Sequence, residues 1–401
     1  MRIGLIAALR RSEDGTALRA ALPLAGRSLL AWQAALLRSL GVERVLCLVD
    51  APSNEVLDLQ HGLEARGMQF HALRGFAALP ALVRAEDDLI VIADGLVPDA
   101  ALVHRLLGDT EAATLTRTVA TIPASHPFAS AHPEDFERID ATRHWAGVLA
   151  MRGAPVQQLA DFPADADAIS VLLRLALQAG TAPRDLAARE PGPEDWLLAT
   201  NAEAVVQHER ALIARAAPSA DLRAPTRALA AAAVRALMPG RLGQGGQVAA
   251  GLAFVALLAG VGASAAGLAA TGLLLAALGA FAAEAARGFG RIAARLRREP
   301  CEPRYAAMLG AAVDLVAGGV VWLALAPPPA WQPLAVLGPV IVGLVRLLSG
   351  TGETALSVAA GDRAGLLLLL ALAAAFGFLP ETLACLALGL VAALLLRGRR
   401  D

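Results

Sequence analysis

The chain of 401 residues contains no lysine, so arginine supplies all 35 of its basic side chains. A mechanism that needs a lysine ammonium, with its flexible point charge, is therefore excluded. Against 36 acidic residues the formal net charge is −1, which argues against a nucleic-acid partner because few phosphates would be neutralised. The three cysteines, Cys47, Cys301 and Cys385, are too widely spaced for a CxxC pair or a disulfide framework.

The chain is rich in long apolar segments, and they are concentrated after residue 246. They are apolar all round, whereas a helix on the surface of a soluble protein keeps a polar face. Gly260, Gly262 and Gly267 are expected to allow close helix packing. Four segments approach the ~20 residues that cross a bilayer and two are shorter: Gln247–Ala263, Gly267–Ala286, Tyr305–Ala326, Trp331–Leu348, Ala364–Phe378 and Thr382–Leu396. Residues 247–401 are therefore predicted to form an all-α, six-span transmembrane domain.

Arginines occupy alternate connections between these segments. They lie between the second and third segments, beside the loop between the fourth and fifth, and at the chain end: Arg287, Arg291, Arg295, Arg297, Arg298, Arg304, Arg346, Arg363, Arg397, Arg399 and Arg400. The positive-inside rule predicts that these connections and both termini are cytoplasmic. We expect a multi-pass protein of the inner membrane of a bacterium.

The first 213 residues alternate short apolar runs with helical segments, which predicts an α/β, Rossmann-like domain with a mostly parallel sheet. Ligands of such sheets bind at the carboxyl ends of the strands, where the loop 10–22 and Asp94 fall. Residues 214–246 are predicted to be a juxtamembrane linker. It comprises a basic helix, Thr226–Leu237, suited to the membrane surface, and a glycine-rich hinge, Arg241–Gln247.

The front domain resembles MobA-like sugar-phosphate nucleotidyltransferases. The resemblance rests on LPLAGRSLLAWQAALLRSLGVERV (Leu22–Val45), VIADGLVPDAALV (Val91–Val103) and the closing segment Trp196–Ile213. It implies that Gly15, Thr16 and Arg19 bind the phosphates of a nucleotide and that Asp94 is a Mg²⁺ ligand. Three positions depart from the family: Leu22-Pro23-Leu24 stands where the family has its lysine, Leu96 replaces a second acidic residue, and Leu198 stands where a late acidic residue is expected.

The six apolar segments resemble the membrane domain of CDP-alcohol phosphotransferases, whose motif is D-x-x-D-G-x-x-A-R followed by G-x-x-x-D-x-x-x-D. Ala286-Arg287 matches the A-R pair and Gly310 to Asp314 matches G-x-x-x-D. The resemblance implies that Arg287 binds phosphate and that Asp314 is a metal ligand and catalytic residue. Gly279, Ala282 and Gly318 stand at the other three aspartate positions of the motif, and Ala283 stands where the motif has glycine.

The order of the two parts resembles bifunctional inositol-1-phosphate cytidylyltransferase/di-myo-inositol phosphate phosphate synthases. This implies Mg²⁺, CTP or a CDP-alcohol, a polyol phosphate or lipid, and membrane lipids as partners. One hypothesis is a membrane transferase of polar-lipid or phosphodiester headgroup synthesis with weakened or lost catalysis. The other is a non-catalytic protein that binds nucleotide or substrate, or that scaffolds an active paralogue, as a homodimer or heterodimer. Asp314 is either a retained ligand or a structural partner of Arg287 or Arg291.

Overall fold

The computed structural model describes residues 1–108, 115–163, 165–186, 196–216, 221–238, 244–297, 304–325, 333–349 and 354–397. The chain divides into two compact units, Met1–Ala211 and Leu212–Asp401. The predicted span start Trp331, and Arg298, Arg399 and Arg400 of the basic connections, lie outside the described residues.

A seven-stranded sheet forms the core of the first unit, in the order β10-β8-β9-β6-β1-β4-β5. Its strands are β1 (Arg2–Ala8), β4 (Arg44–Val49), β5 (Gln69–Leu73), β6 (Asp88–Ile92), β8 (Thr118–Pro123), β9 (Arg143–Arg152) and β10 (Pro183–Asp185). All neighbouring strands run parallel except β9, which is antiparallel to both β6 and β8. The predicted α/β fold with a mostly parallel sheet is confirmed. Strand β10 lies in a stretch that the sequence analysis assigned to no regular element.

The central strands are apolar on both faces because helices cover the sheet on each side. Ile3, Leu5, Ile90 and Val91 are all fully buried. The helices of this unit are α1 (Leu29–Ser39), α2 (Asn54–Glu64), α3 (Leu79–Leu82), α4 (Ala100–Leu107), α5 (Pro127–Ala131), α6 (Ala168–Gln178) and α7 (Ala202–Ala216).

Two small two-stranded ribbons flank the main sheet. Strands β2 (Pro23–Leu24) and β3 (Arg27–Ser28) form a hairpin. Strand β7 (Leu96–Pro98) pairs with β11 (Trp196–Leu198), and this pairing returns the end of the first unit to the segment after β6. The backbone N–H of Glu13 then donates to the Thr200 carbonyl at 2.8 Å, which ties the loop after β1 to the same place.

The second unit is helical. It contains α8 (Pro225–Leu237), α9 (Gly245–Ala265), α10 (Ala269–Arg297), α11 (Arg304–Leu325), α12 (Leu337–Ser349), α13 (Ala355–Ala360), α14 (Arg363–Ala375) and α15 (Leu379–Arg397). Four of the described helices, α9, α10, α11 and α15, are long and apolar enough to cross a membrane. Helices α12 and α14 have 13 residues each and are shorter than a full crossing.

Two predicted connections in this unit are wrong. Leu379-Pro380-Glu381 is the first turn of α15 rather than a loop, because proline is tolerated in the first turn, where its missing N–H has no partner to lose. The glycines Gly245 and Gly246 begin α9 rather than completing a hinge, while the start of the predicted hinge, 241–243, lies outside the described residues.

Helices α9 and α10 approach each other closely at two glycines. A Cβ added to Gly260 would lie 2.9 Å from the Gly272 carbonyl oxygen, and one added to Gly272 would lie 2.8 Å from the Gly260 carbonyl oxygen. Small residues allow this approach of two backbones. The expectation is thus confirmed for Gly260. It is wrong for Gly262 and Gly267, where an added Cβ would meet nothing within 4 Å.

We expect Gly272→Ala to destabilise the helical unit, because its Cβ would overlap the α9 backbone and force the helices apart. A cost of about 1–3 kcal/mol is typical of such overpacking. The melting temperature of the full chain in detergent measures it. Gly251→Ala, on the same helix pair but with nothing within 4 Å of its Cβ, is the control. Equal melting temperatures for the two variants would contradict the proposed close contact.

Candidate functional site

The carboxyl ends of β1, β4 and β6 lie at one edge of the sheet because these strands run parallel. Asp94 follows β6 at this edge and is only 6% exposed. Its Oδ2 accepts hydrogen bonds from the backbone N–H groups of Leu9 and Arg10, each at 2.7 Å. Its Oδ1 is buried and has no hydrogen-bond partner among the described residues. A buried carboxylate oxygen without a partner is costly, so this atom marks a place for a ligand.

Burial raises the pKa of Asp94 to about 6, and the two backbone N–H groups oppose this rise. The group is therefore still ionised at neutral pH. Carboxylate oxygens are the ligands that Mg²⁺ prefers, and the free Oδ1 fits such an ion. Within the described parts of the chain no three His, Cys, Asp or Glu side chains are close enough to share a metal ion. A metal at Asp94 would need most of its remaining ligands from a bound nucleotide or from water.

The loop after β1 brings two arginines to this edge. Arg19 Nη1 lies 2.8 Å from Asp135 Oδ1, and Arg10 Nη1 pairs with the same oxygen. Arg19 also packs against the turn after Asp94, since a Cβ built on Gly95 would lie 3.0 Å from its Cβ. Arg19 thus lies beside the turn that carries Asp94. Asp135 was not predicted from the sequence, because its partner Arg10 lies 125 residues away along the chain.

Gly15 and Thr16 occupy the exposed tip of the same loop. The Gly15 N–H donates to the Ser12 carbonyl at 2.8 Å, and the Thr16 N–H donates to Asp14 Oδ1 at 3.1 Å. Gly15 has a φ of 68°, which a residue without a side chain adopts at little cost. Both amide groups are therefore engaged within the loop, and binding a phosphate through them would require these bonds to open.

A cavity of about 330 Å³ opens at this edge of the sheet. Its apolar wall includes Phe76 and Trp145, and Arg10 is its basic lining residue. The rest of its charged lining is acidic: Asp50, Asp94, Glu134, Asp135, Glu137, Asp165 and Asp167. Among the acidic residues only Asp94 was singled out from the sequence. The run His132–Asp140 and the segment Asp161–Asp167 are rich in carboxylates, a signal that could have indicated the others except Asp50.

In the helical unit Asp314 is held by arginines. Arg363 Nε lies 3.0 Å from Asp314 Oδ1, and Arg346 Nη1 lies 3.8 Å from Oδ2. The prediction that Asp314 pairs with Arg287 or Arg291 is wrong. Both belong to α10, whereas Arg363 begins α14 and reaches the middle of α11 from there.

Arg287 and Arg291 pair instead with Glu284, at 2.5 and 2.7 Å. Arg227 of α8 approaches the same carboxylate at 3.7 Å. Sequence reasoning missed Glu284, although its spacing of three residues to Arg287 places the two side chains on one helix face. Arg287 also lies beside Gly310, whose added Cβ would be 3.6 Å from Arg287 Nη1. The two matched parts of the motif, Ala286-Arg287 on α10 and Gly310 to Asp314 on α11, are therefore neighbours.

Asp362 joins α8 to α14. Its carboxylate caps α14 by accepting from the Gly365 N–H at 3.2 Å, and it also accepts from the Thr226 N–H at 3.0 Å and from the Thr226 hydroxyl. The predicted linker helix is thus bound into the helical unit through its first turn.

No family model matches this chain, and no curated protein matches it. Among solved structures, the inositol-1-phosphate CTP transferase from T. maritima is similar over 46% of this chain and 86% of its own, with 16% identity and a TM-score of 0.35. A structure from Bacillus anthracis, described as a glucose-1-phosphate thymidylyltransferase in complex with sucrose, covers 52% of this chain and 94% of its own, with 10% identity and a TM-score of 0.39. Similarity at this level assigns neither a substrate nor site residues to this chain.

We expect Asp94→Asn to stabilise the protein at neutral pH. A folded-state pKa raised from 3.8 to about 6 means that the folded protein binds the proton more tightly than the unfolded chain. Stability from this group therefore falls as the pH rises from about 4 to 6, by about 3 kcal/mol in total. The uncharged side chain of the variant loses no stability over this pH range. The melting temperature of the variant should therefore exceed that of the unsubstituted protein near neutral pH and equal it near pH 4. A gain that is independent of pH would contradict the assignment.

Asp314→Ala should destabilise the helical unit by about 3 kcal/mol, because it leaves the Arg363 guanidinium poorly solvated and without its carboxylate. Arg363 is 19% exposed, whereas Arg346 is 65% exposed and 3.8 Å away. Arg346→Ala is therefore the control, with an expected cost below about 1 kcal/mol. Chemical unfolding in detergent compares the two variants. A mild effect of Asp314→Ala would show that the ion pair contributes little.

Proposed function

We propose that this protein is a membrane-bound transferase whose front domain transfers a nucleotidyl group to a phosphorylated alcohol. The observation that carries the proposal is the free Oδ1 of Asp94, which is buried at the carboxyl edge of the sheet. This edge is where ligands of open parallel sheets bind. The resemblance of Leu22–Val45 and Val91–Val103 to nucleotidyltransferases supports the same reaction class.

In this reaction a phosphate oxygen of the alcohol phosphate attacks the α-phosphorus of a nucleoside triphosphate such as CTP. The new P–O–P bond forms as the bond from the α-phosphorus to the β-bridging oxygen breaks, and pyrophosphate leaves. Asp94 would hold a Mg²⁺ ion, which when bound neutralises charge on the phosphate oxygens. The carboxylate is already ionised near neutral pH because its pKa is about 6.

Arg19 and Arg10 supply the positive charge that a lysine gives in the family this domain resembles. Their guanidinium groups both pair with Asp135 Oδ1, and both charges favour the ionised form of Asp94. A planar guanidinium binds two phosphate oxygens at once, so the arginines would fix the triphosphate by orientation. For this role both arginines must exchange part of their contact with Asp135 for the incoming phosphates.

The helical unit would place this reaction at the inner membrane. We propose six spans with both termini in the cytoplasm, in agreement with the alternation of arginine-rich connections. A role in polar-lipid or phosphodiester headgroup synthesis, through a CDP-alcohol phosphotransferase-like domain, follows from the resemblance at Arg287 and at Gly310 to Asp314. Pairing of two chains, as a homodimer or with a paralogue, belongs to the same proposal.

A second candidate is a protein that binds nucleotide or substrate without transferring it. It is favoured by the ion pairs of Asp314 with Arg363 and Arg346, because a carboxylate so engaged is a poor metal ligand. In the front domain, the ion pairs of Arg10 and Arg19 with Asp135 also favour the non-catalytic candidate, because they occupy the groups that would bind phosphate. In this case the chain would hold a substrate or an active paralogue at the membrane.

The test uses the full chain in nanodiscs with Mg²⁺, each of the nucleoside triphosphates, and a panel of alcohol phosphates. We expect CTP to bind and pyrophosphate to be released, and Asp94→Asn to lower the release at least about a hundredfold, because a metal ligand is lost. Asp88→Asn is the matched control: Asp88 starts the strand that Asp94 follows, at the opposite edge of the sheet, and should retain activity.

Three outcomes separate the candidates. Binding of CTP that needs Mg²⁺ and Asp94, without pyrophosphate release, would support the non-catalytic protein. No binding of any nucleotide would refute both readings of the front domain. Release of CMP from CDP-alcohols that is lost in Asp314→Ala would show that the helical unit is an active phosphotransferase despite its ion pairs.

A further inference from the structure

We propose that the cavity beside Asp94 receives a positively charged alcohol, so that the phosphorylated acceptor is an amino alcohol or a quaternary ammonium alcohol. This inference rests on the proposed function, because it names the class of the acceptor. It starts from the charge of the cavity, whose lining has seven carboxylates and one guanidinium. A neutral polyol would leave this excess of negative charge uncompensated.

The hydrogen-bond and ion-pair partners of these carboxylates do not remove the excess of negative charge in the cavity. Asp135 is neutralised by Arg10 and Arg19. Asp167 is the N-cap of α6, where it accepts from two backbone N–H groups, and its Oδ2 lies 4.0 Å from Arg10 Nη2. Glu137 accepts from the Ser170 hydroxyl, which brings no charge. Asp50, Glu134 and Asp165 have no ion pair among the described residues of this unit. They lie on the solvent side of the cavity as exposed residues.

Asp94 supplies an independent observation that a ligand enters here. It lines the cavity, is nine-tenths buried, and keeps one oxygen without a hydrogen-bond partner in the described chain. A ligand would therefore complete the contacts of Asp94 at the deep end of the cavity. A positive charge would balance the carboxylates at its mouth. A molecule with a phosphate at one end and a cation at the other would meet both needs, since its phosphate would lie by Arg10 and Asp94 would hold a metal ion.

An organic cation fits better than a second metal ion. The described carboxylates are spread around the cavity, and no three of them are close enough to share one ion. A bulky ammonium group can be surrounded by carboxylates at longer distances than a metal ion, and Phe76 and Trp145 contribute apolar wall to the cavity. The volume of about 330 Å³ accommodates a small headgroup.

The test measures direct binding to the full chain in nanodiscs by calorimetry, without nucleotide. The probes are choline phosphate and ethanolamine phosphate against glycerol 3-phosphate and myo-inositol 1-phosphate. We expect the two cationic probes to bind at least about tenfold more tightly, and more weakly as salt is added, because the attraction is electrostatic. Equal or tighter binding of the two neutral alcohols would overturn the inference.

Variants of the acidic mouth locate the effect. Glu134→Gln and Asp165→Asn should each weaken binding of choline phosphate by about three- to tenfold and leave myo-inositol 1-phosphate unchanged, since only the charge of the cation is addressed. Asp161→Asn removes an exposed carboxylate of the same segment that does not line the cavity, and should change neither probe. Binding of Mg²⁺ alone that is lost in the two mouth variants would overturn the inference in favour of a metal site.

The same probes keep the two proposals apart. Pyrophosphate release driven by the neutral alcohol phosphates and not by the cationic ones would refute the inference and leave the proposed transferase. Selective binding of the cationic probes, with no pyrophosphate released by any probe, would support the inference and refute the transfer reaction.

Discussion

The carboxylate of Asp94 holds the functional edge of the front domain together. Its Oδ2 accepts two backbone N–H groups from the residues that follow β1, and so joins the ends of two neighbouring strands. Directly beyond it, the Gly95 carbonyl accepts from the Ala199 N–H at 2.9 Å, which ties the end of the unit to the same turn. The positions of Arg10 and Arg19 depend on this anchoring. One oxygen thus serves the fold while the other remains available to a ligand.

The helical unit stabilises its buried charge in a different way. Glu284 is surrounded by three arginines, and Asp314 by two. Asp362 accepts hydrogen bonds from α8 and from its own helix, and forms no ion pair with the arginines that the structure describes. A carboxylate in an apolar environment must be paired or solvated. The contacts of Glu284 with Arg227, and of Asp314 with Arg346 and Arg363, join different helices of this unit, whereas Arg287 and Arg291 pair with Glu284 within α10.

Sequence patterns predicted the elements that depend on local or periodic signals. The buried parallel strands are apolar runs, and Ser28 caps α1 through the Ala31 N–H as its position indicates. The reversed direction of β9 and the short strand β10 carry no such signal, because they are determined by pairing across the sheet. In the site, Asp94 was found from its place after a strand. Asp135 required the fold, since it meets Arg10 and Arg19 from more than 100 residues away. The ion pair of Glu284 with Arg287 could have been predicted from their spacing of three residues along the helix.

Helix α10 is longer than a bilayer requires. Its 29 residues extend over about 43 Å at 1.5 Å per residue, against a hydrocarbon core of ~30 Å. With Ala269 at one face of the core, the opposite face falls near Phe289, and Glu284 lies about 7 Å inside it. The carboxylate and its arginines would then form a charged collar at the boundary between lipid and water. Moving α10 further into the bilayer would draw Glu284 and its arginines into hydrocarbon, which is costly for charged groups, so this cluster would limit the depth of the helix.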